Sequence, residues 1–263
     1  APTVLLARFA RYVWRSDTRF VARIQIAHYG SKDLPAGTSL WSLSTRNGQQ
    51  VAQGVLEAKS GVPTGGMFDL GEIEASLEAL NEPSALVLRV RMGEIMNQWN
   101  LWAYPPCKEA PLPKDVIVTR TLDSQAQDVL RRGGRVVLLA HGLKNTNTAR
   151  TGFESVYWSA DWWGNKFSSL GILCDPSHPA FRRFPNDGCS DWQWRDLCAG
   201  ATTFELSNAP AGVVNIVQPI PDFHYNARLS QLFEARTGGG SLLVCGYDLE
   251  TSLDQRLAAR PVS

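Results

Sequence analysis

The sequence predicts an all-β domain, a β-sandwich, followed by an α/β domain. Apolar and polar residues alternate in several short segments of residues 1–105, which is the period of strands with one buried face. Residues 105–113 are rich in proline and interrupt this pattern. A strand, a helix and a second strand follow in residues 116–140, an order typical of a sheet covered by helices. We therefore place the domains at residues 1–105 and 106–263.

The first domain is predicted from period-two segments and turns. Residues 20–26 and residues 86–92 both place apolar side chains at every second position, with arginine among the residues between them. Asn47-Gly48 predicts a tight turn that joins strands at residues 39–44 and 51–56. Several short strands at this spacing are typical of a β-sandwich.

The second domain is predicted from a change of period. Residues 116–118 and 136–140 are continuous apolar runs, and between them Asp123 or Ser124 caps a helix that ends at Gly133-Gly134. The other expected elements are strands at residues 170–174, 202–206, 213–217, 229–234 and 242–246, a helical turn at 192–198 and a hairpin turn at 238–240. Because the last strands alternate with turns, we expect a mixed sheet, and the strand–helix–strand order predicts that it is mostly parallel.

Composition excludes several classes of function. The formal net charge is +1, so no overall field favours nucleic acid or an anionic membrane, and we expect neither as a partner. No run reaches the ~20 apolar residues of a membrane-spanning helix. Neither glycine-rich nucleotide-binding motif occurs, and the cysteine and histidine spacings match no zinc clip, so we expect no cofactor and no metal. Five cysteines leave at least one thiol unpaired in a monomer.

Hydrolytic chemistry is the alternative function. His141-Gly142 follows a strand, as in enzymes that build an oxyanion hole there, but no G-x-S-x-G nucleophile turn accompanies it. Cys174 ends a strand and has His178 and His224 as candidate bases, although Asp175 disfavours a reactive thiolate and a buried structural cysteine is the simpler interpretation. A stand-alone glycosidase or esterase using a His, Cys or Asp site in the second domain is thus the competing hypothesis.

The second domain is organised around residues 153–198, which hold five of the nine tryptophans. Indole rings combine a large apolar face with one N–H donor, and ligands of open α/β sheets bind beyond the strand ends, so these segments suit a hydroxyl-rich ligand such as a sugar. The predicted ligand-binding residues are Trp158, Trp162, Trp163, Asp175, His178, Trp192, Trp194, Asp222, His224 and Asn226. Burial of the same rings in the core is the simpler interpretation of any one tryptophan.

Several motifs resemble one enzyme family. Residues 97–105, NQWNLWAYP, are similar to its N-x-W-x-x-W-x-Y-P strand. Residues 169–180, SLGILCDPSHPA, are similar to its LGILxDPxHPA segment, and residues 184–194 contain matches to FP and SxWQW. Residues 222–245 resemble its closing DDF…N…LFEA…GxGxLLVC. The chain therefore resembles the C-terminal accessory region of bacterial glycoside hydrolase family 2, the β-galactosidase-like enzymes.

The resemblance implies an immunoglobulin-like sandwich and an α/β domain similar to amidotransferase or flavodoxin-like folds. The catalytic glutamates of that family lie in a (β/α)8 barrel of ~250 residues. This sequence has no eightfold βα pattern, so none of its residues receives a catalytic role. The resemblance thus implies a non-catalytic module associated with plant oligo- or polysaccharide and with a catalytic barrel, in the bacterial periplasm or secreted. Pro221 departs from the family by replacing the first Asp of DDF.

Overall fold

The computed structural model describes residues 1–58, 60–106, 111–144, 148–149, 151–153, 169–221 and 226–251. The chain forms two compact units. The first comprises Ala1–Lys108 with Arg182–Pro185, and the second comprises Glu109–Phe181 with Asn186–Ser263. The division falls within residues 107–110, outside the described residues, so the predicted boundary at residue 105 stays a prediction.

Eight strands build the first unit. They are β1 (Thr3–Arg8), β2 (Val13–Arg15), β3 (Arg19–His28), β4 (Gly37–Thr45), β5 (Gln50–Ala58), β6 (Gly66–Ser76), β7 (Ser84–Met92) and β8 (Ile95–Tyr104). One sheet has the order β1-β3-β6, and the other has the order β2-β8-β7-β4-β5. Neighbouring strands are antiparallel except for β2, which lies parallel to β8.

The two sheets share one apolar core. β3 buries Phe20, Ala22, Ile24 and Ile26, all at most 1% exposed, while the residues between them face solvent or are half-buried. β7 contributes every second residue from Leu86 to Met92. Each fully buried phenylalanine, leucine, isoleucine, valine or methionine side chain contributes roughly 1.5–3 kcal/mol. The period-two pattern predicted from the sequence is therefore confirmed, as is a β-rich fold.

Nine strands and two α-helices are described in the second unit. They are β9 (Val116–Thr119), α1 (Ser124–Arg131), β10 (Arg135–Leu139), β11 (Thr148–Ala149), β12 (Gly171–Cys174), α2 (Arg195–Cys198), β13 (Thr203–Glu205), β14 (Val214–Ile220), β15 (Leu229–Ser230), β16 (Leu232–Thr237) and β17 (Gly240–Cys245). Short 3-10 helices span Pro179–Phe181 and Trp192–Trp194. No described helix is both long and apolar enough to cross a membrane.

A six-stranded mixed sheet dominates this unit, in the order β12-β14-β16-β17-β10-β9. Only β9–β10 and β10–β17 are parallel, and the other three pairings are antiparallel. The predicted mixed sheet is confirmed, but the prediction that it is mostly parallel is wrong. One of the three antiparallel pairings, β16–β17, follows from the two-residue turn at Gly238-Gly239, where both φ angles are positive. Such a turn joins antiparallel strands, whereas a parallel pair needs a long crossover.

The predicted helix is confirmed as α1. The Asp123 carboxylate accepts the Ala126 N–H at 2.9 Å and caps the first turn. Ala126 and Leu130 lie on one face and pack with Val136 of β10. The helix stops before Gly133, which has a positive φ of 83°. Local signals therefore sufficed to place this helix.

We expect Asp123→Ala to lower the free energy of unfolding by about 0.5–2 kcal/mol, because the Ala126 N–H loses its acceptor. Asp123→Asn keeps an acceptor at the same place and is the matched control, with a change of less than about 0.5 kcal/mol. Urea denaturation followed by circular dichroism measures both. Equal losses in the two variants would contradict a capping role.

Candidate ligand-binding site

A pocket of about 190 Å³ lies in the second unit. Its lining residues are Phe153, Ser169, Leu170, Gly171, Ile172, Ser190 and Trp192. They come from the edge strand β12, from the residues that precede it, and from the loop that enters the helical segment at residue 192. The pocket thus combines two aromatic rings, two aliphatic side chains and two serine hydroxyls.

Of the two described tryptophans in the 153–198 stretch, Trp192 is the more exposed, with 43% of its surface accessible. The Asp191 carboxylate accepts the Trp192 N–H at 2.6 Å, which starts the helical segment at this residue. The Arg195 guanidinium lies 5.7 Å from the indole centroid, and such a contact contributes ~0.5–1 kcal/mol at an exposed site. The Phe153 ring lies 6.2 Å away at 55°. The indole is therefore held in place while much of it stays accessible.

Hydrogen bonds of buried side chains lie next to two residues of the pocket lining, Phe153 and Ser169. The Thr151 hydroxyl bonds the Thr203 hydroxyl at 2.5 Å and accepts from Nε2 of Gln231 at 3.1 Å. Thr203 and Gln231 are at most 1% exposed. At the next residue, the Gly152 carbonyl accepts the Ser169 hydroxyl at 2.8 Å. Because buried networks of this kind restrain their members, the backbone at Thr151 and Gly152, next to Phe153, is tied to Thr203 and to Ser169.

Gly171 keeps the pocket open. Its φ is 132°, a conformation that residues with a side chain rarely adopt, and a Cβ here would lie 2.9 Å from the Ser190 hydroxyl oxygen. Any larger residue would be strained and would press against the serine. The glycine of the LGI motif is therefore a requirement of the backbone at this wall.

Trp194 has a different environment from Trp192. It is 1% exposed, and its ring meets Phe181 edge to face at 5.9 Å. Gln193 between the two tryptophans is also buried. Trp194 thus belongs to the core of the second unit, and we place it outside the candidate site.

The other predicted site residues divide into two groups. Asp175 and His178 lie in the turn after β12, where the Asp175 carboxylate accepts the Ser177 N–H and hydroxyl. These hydrogen bonds lower the pKa of Asp175, and Nδ1 of His178 accepts the Ala180 N–H. Both side chains thus take part in the turn, and Asn226 is exposed. Outside the described residues lie Trp158, Trp162, Trp163, Asp222 and His224.

Burial disfavours a reactive thiolate at Cys174 and Cys198. Cys174 donates to Oδ1 of Asn186 at 3.5 Å, and burial, with Cys189 and Asp175 nearby, raises the pKa of its thiol to about 11. Burial also raises the pKa of Cys198 to about 12. The four cysteines within the described ranges are free thiols. In the same part of the chain, no group of three His, Cys, Asp or Glu side chains is arranged to hold a metal ion.

Sequence reasoning missed every lining residue except Trp192, namely Phe153, Ser169, Leu170, Gly171, Ile172 and Ser190. Each belongs to a motif or stretch that the sequence singled out, but a single apolar, small or hydroxyl residue carries no ligand signal by itself. The signal for Gly171 was a glycine at the start of an apolar strand, which often marks a close approach of backbone or ligand.

The fold and pocket define a β-rich protein of two units with an aromatic-walled pocket in the second. By sequence, the chain belongs to the family described as Domain of unknown function (DUF8487), whose model matches residues 117–262. A second model, Domain of unknown function (DUF8488), matches residues 18–105. No curated protein matches the chain.

Solved structures show only distant likeness. Pseudomonas fluorescens alkylpurine DNA glycosylase AlkC, solved with DNA containing an abasic site analog, has a TM-score of 0.31 at 12% identity over 40% of this chain and 31% of that one. Sporulation control protein Spo0M from Bacillus subtilis scores 0.29 at 6% identity, covering 41% and 51%. Parabacteroides merdae β-glucuronidase scores 0.26 at 12%, covering 53% and 21%. The chain spans about a third, half and a fifth of these proteins, and such scores carry no functional argument.

We expect Gly171→Ala to destabilise the protein by about 1–3 kcal/mol through backbone strain and the contact with Ser190. The double variant Gly171→Ala with Ser190→Gly relieves the contact but not the strain, so it should recover only part of the loss. Thermal unfolding of the three proteins measures this. No destabilisation in Gly171→Ala would contradict the geometry of the pocket wall.

The rate of Cys174 alkylation should keep rising with pH above pH 9, because the raised pKa of this thiol leaves little thiolate below about pH 11. For an ordinary cysteine with a pKa of ~8.5, the rate levels off near pH 9. Iodoacetamide labelling followed by peptide mass spectrometry separates Cys174 from the exposed Cys189. Rapid labelling of Cys174 at pH 7 would instead favour the nucleophile of the hydrolase hypothesis.

Proposed function

We propose that the chain is a non-catalytic, carbohydrate-associated module that holds a saccharide ring in the pocket of Trp192. The observation that carries the proposal is an accessible indole, restrained by Phe153 and Arg195, beside the hydroxyl of Ser190. The apolar face of a sugar ring packs on an indole, and its hydroxyls bond to neighbouring hydroxyl and amide groups. This combination of a flat apolar wall and polar edges supports a sugar over a purely aliphatic ligand.

The size of the pocket supports one bound ring. Sites for drug-sized ligands occupy ~300–1,000 Å³, and about 190 Å³ is smaller than this range. The pocket is open to solvent beside Trp192, so a longer oligosaccharide extends from the bound unit along the surface. We therefore propose recognition of one unit of an oligo- or polysaccharide, with plant saccharides as the first ligands to examine.

We also propose the wider context that the motifs imply, an accessory region of a family 2-like glycoside hydrolase. The first unit has a three-stranded and a five-stranded sheet, with β2 parallel to β8, and this supports an immunoglobulin-like fold. The parallel strands β9, β10 and β17 beside α1 support a second unit similar to amidotransferase or flavodoxin-like folds. A catalytic barrel as partner and a periplasmic or secreted location belong to the same proposal.

The other predicted residues enter the proposal on different grounds, some from the structure and some from the sequence alone. Asp175, His178 and Asn226 are candidates for contacts with the extended part of the saccharide. Trp158, Trp162, Trp163, Asp222 and His224 are proposed from the sequence alone. The raised pKa of the Cys174 thiol and the engagement of Asp175 in a turn do not favour the alternative of a stand-alone hydrolase.

Trp192→Ala should weaken saccharide binding at least about tenfold, which corresponds to about 1.4 kcal/mol, because the apolar wall is lost. Trp192→Phe keeps a ring and should lose less. Isothermal titration calorimetry against a panel of neutral plant oligosaccharides measures the change.

Val214→Ala is the matched control, since Val214 is 47% exposed in the same unit and does not line the pocket. It should bind as the unaltered chain does. Absence of heat with every sugar, or equal affinities for the Trp192→Ala variant and the unaltered chain, would refute the pocket as a saccharide site.

A further inference from the structure

A second groove, of about 590 Å³, lies on the outer face of the five-stranded sheet of the first unit. Its lining residues are Leu40, Trp41, Ser42, Gln53, Gly54, Val55, Arg89, Arg91 and Met96. Leu40, Val55 and Met96 are 45%, 54% and 61% exposed. None of the lining residues belongs to the proposed sugar pocket, so this surface needs an explanation of its own.

The strand register arranges the outward side chains in two rows across β8, β7, β4 and β5. One row consists of Met96, Arg91, Leu40 and Val55, which pair as direct neighbours on adjacent strands. The second row consists of Gln98, Arg89, Ser42 and Gln53. Strands lie ~4.8 Å apart, so each row is about 14 Å long. An apolar row with one cation therefore runs beside a hydrogen-bonding row with one cation.

The two arginines of the groove have no carboxylate partner among the described residues. Nε of Arg89 donates to Oε1 of Gln98 at 3.2 Å, and no acidic residue lines the groove. The three-stranded sheet provides the contrast, because there Arg19 pairs with Glu74 and Arg23 pairs with Asp69. Arg89 and Arg91 are two residues apart on one strand, so they point to the same face about 6.8 Å apart. The groove is therefore complementary to a ligand with two negative charges.

The volume and the lining favour a small ligand over a protein partner. The groove falls within the ~300–1,000 Å³ of small-molecule sites. Its two rows, about 14 Å long and about 6.8 Å apart, cover far less than the ~800 Å² that a stable protein interface covers on each side. Guanidinium groups bind carboxylates through paired hydrogen bonds. The Ser42 hydroxyl and the Gln53 amide match ligand hydroxyls, and Leu40 and Val55 form an apolar surface for C–H groups. Carboxylates, hydroxyls and C–H faces occur together in acidic sugars.

We propose that this groove binds a uronate-containing oligosaccharide, with its carboxylates on Arg89 and Arg91. This site is separate from the proposed Trp192 pocket, and the two share no lining residue. Arg89 is oriented by Gln98, and Arg91 lies between Leu40 and Met96 in the strand register. Neutral sugars of the same length lack the charged groups that the arginines select.

The test is calorimetry of the full chain with trigalacturonate and with a hyaluronan tetrasaccharide, at low and at physiological salt. We expect at least one of these uronate probes to bind, with an affinity that falls as salt rises. Arg91→Gln and Arg89→Gln should each weaken binding at least tenfold. Arg19→Gln, on the opposite sheet, is the matched control and should leave the affinity unchanged. Thermal unfolding verifies that each variant is folded.

Three outcomes would overturn the proposal. The first is no binding of either uronate probe at millimolar concentration. The second is equal binding of neutral galactotriose in the Trp192→Ala variant, where the pocket no longer contributes. The third is equal binding of a short polyglutamate peptide, which would show a response to charge alone. Trp192→Ala separates the two sites, because it should weaken neutral sugar binding at the pocket and leave uronate binding intact. Each proposal can thus fail without the other.

Discussion

The pairing of β17 with two different neighbours is the constraint on which the second unit depends. β17 lies parallel to β10 on one side and antiparallel to β16 on the other, and its Val244 and Cys245 are buried. It thereby joins a parallel half of the sheet, covered by α1, to an antiparallel half that ends at β12. Three successive antiparallel ladders link β17 to β12, which lines the pocket. The position of the pocket wall therefore follows from the pairing of the central strand.

Buried polar groups then restrain the pocket from inside. Gln231, between β15 and β16, donates to Thr151 and Thr203 and accepts from the Cys198 thiol at 3.3 Å. Leaving such a group unpaired would cost about 1–3 kcal/mol. The network thus ties the segment before Phe153 to the sheet and to the helix after Trp192. The segments that carry the two aromatic rings are therefore linked through one set of hydrogen bonds in the core.

The side chains of the two candidate sites are positioned in different ways. The pocket of Trp192 uses a ring at the start of a short 3-10 helix, held by the Asp191 cap, the Arg195 guanidinium and the Phe153 ring. The groove of Arg89 and Arg91 uses the flat face of a sheet, where register alone aligns the side chains. Charge distinguishes them as well, since the groove has two unpaired cations among the described residues and the pocket lining has none. A carbohydrate-associated module with both sites would recognise neutral and acidic units separately.

The sequence by itself determined the local elements, because strand period, helix caps and glycine turns depend on neighbouring residues. It therefore placed β3, β7, α1 and the turn at Gly238-Gly239, and it identified the segment that contains Trp192. Only the tertiary structure decided strand order and direction, and which tryptophan is accessible. Trp192 and Trp194 share one short segment, yet they are 43% and 1% exposed, because exposure depends on what packs against each ring from distant parts of the chain. The rows of the groove also arise from register between four strands, a relation between distant residues that no local pattern specifies.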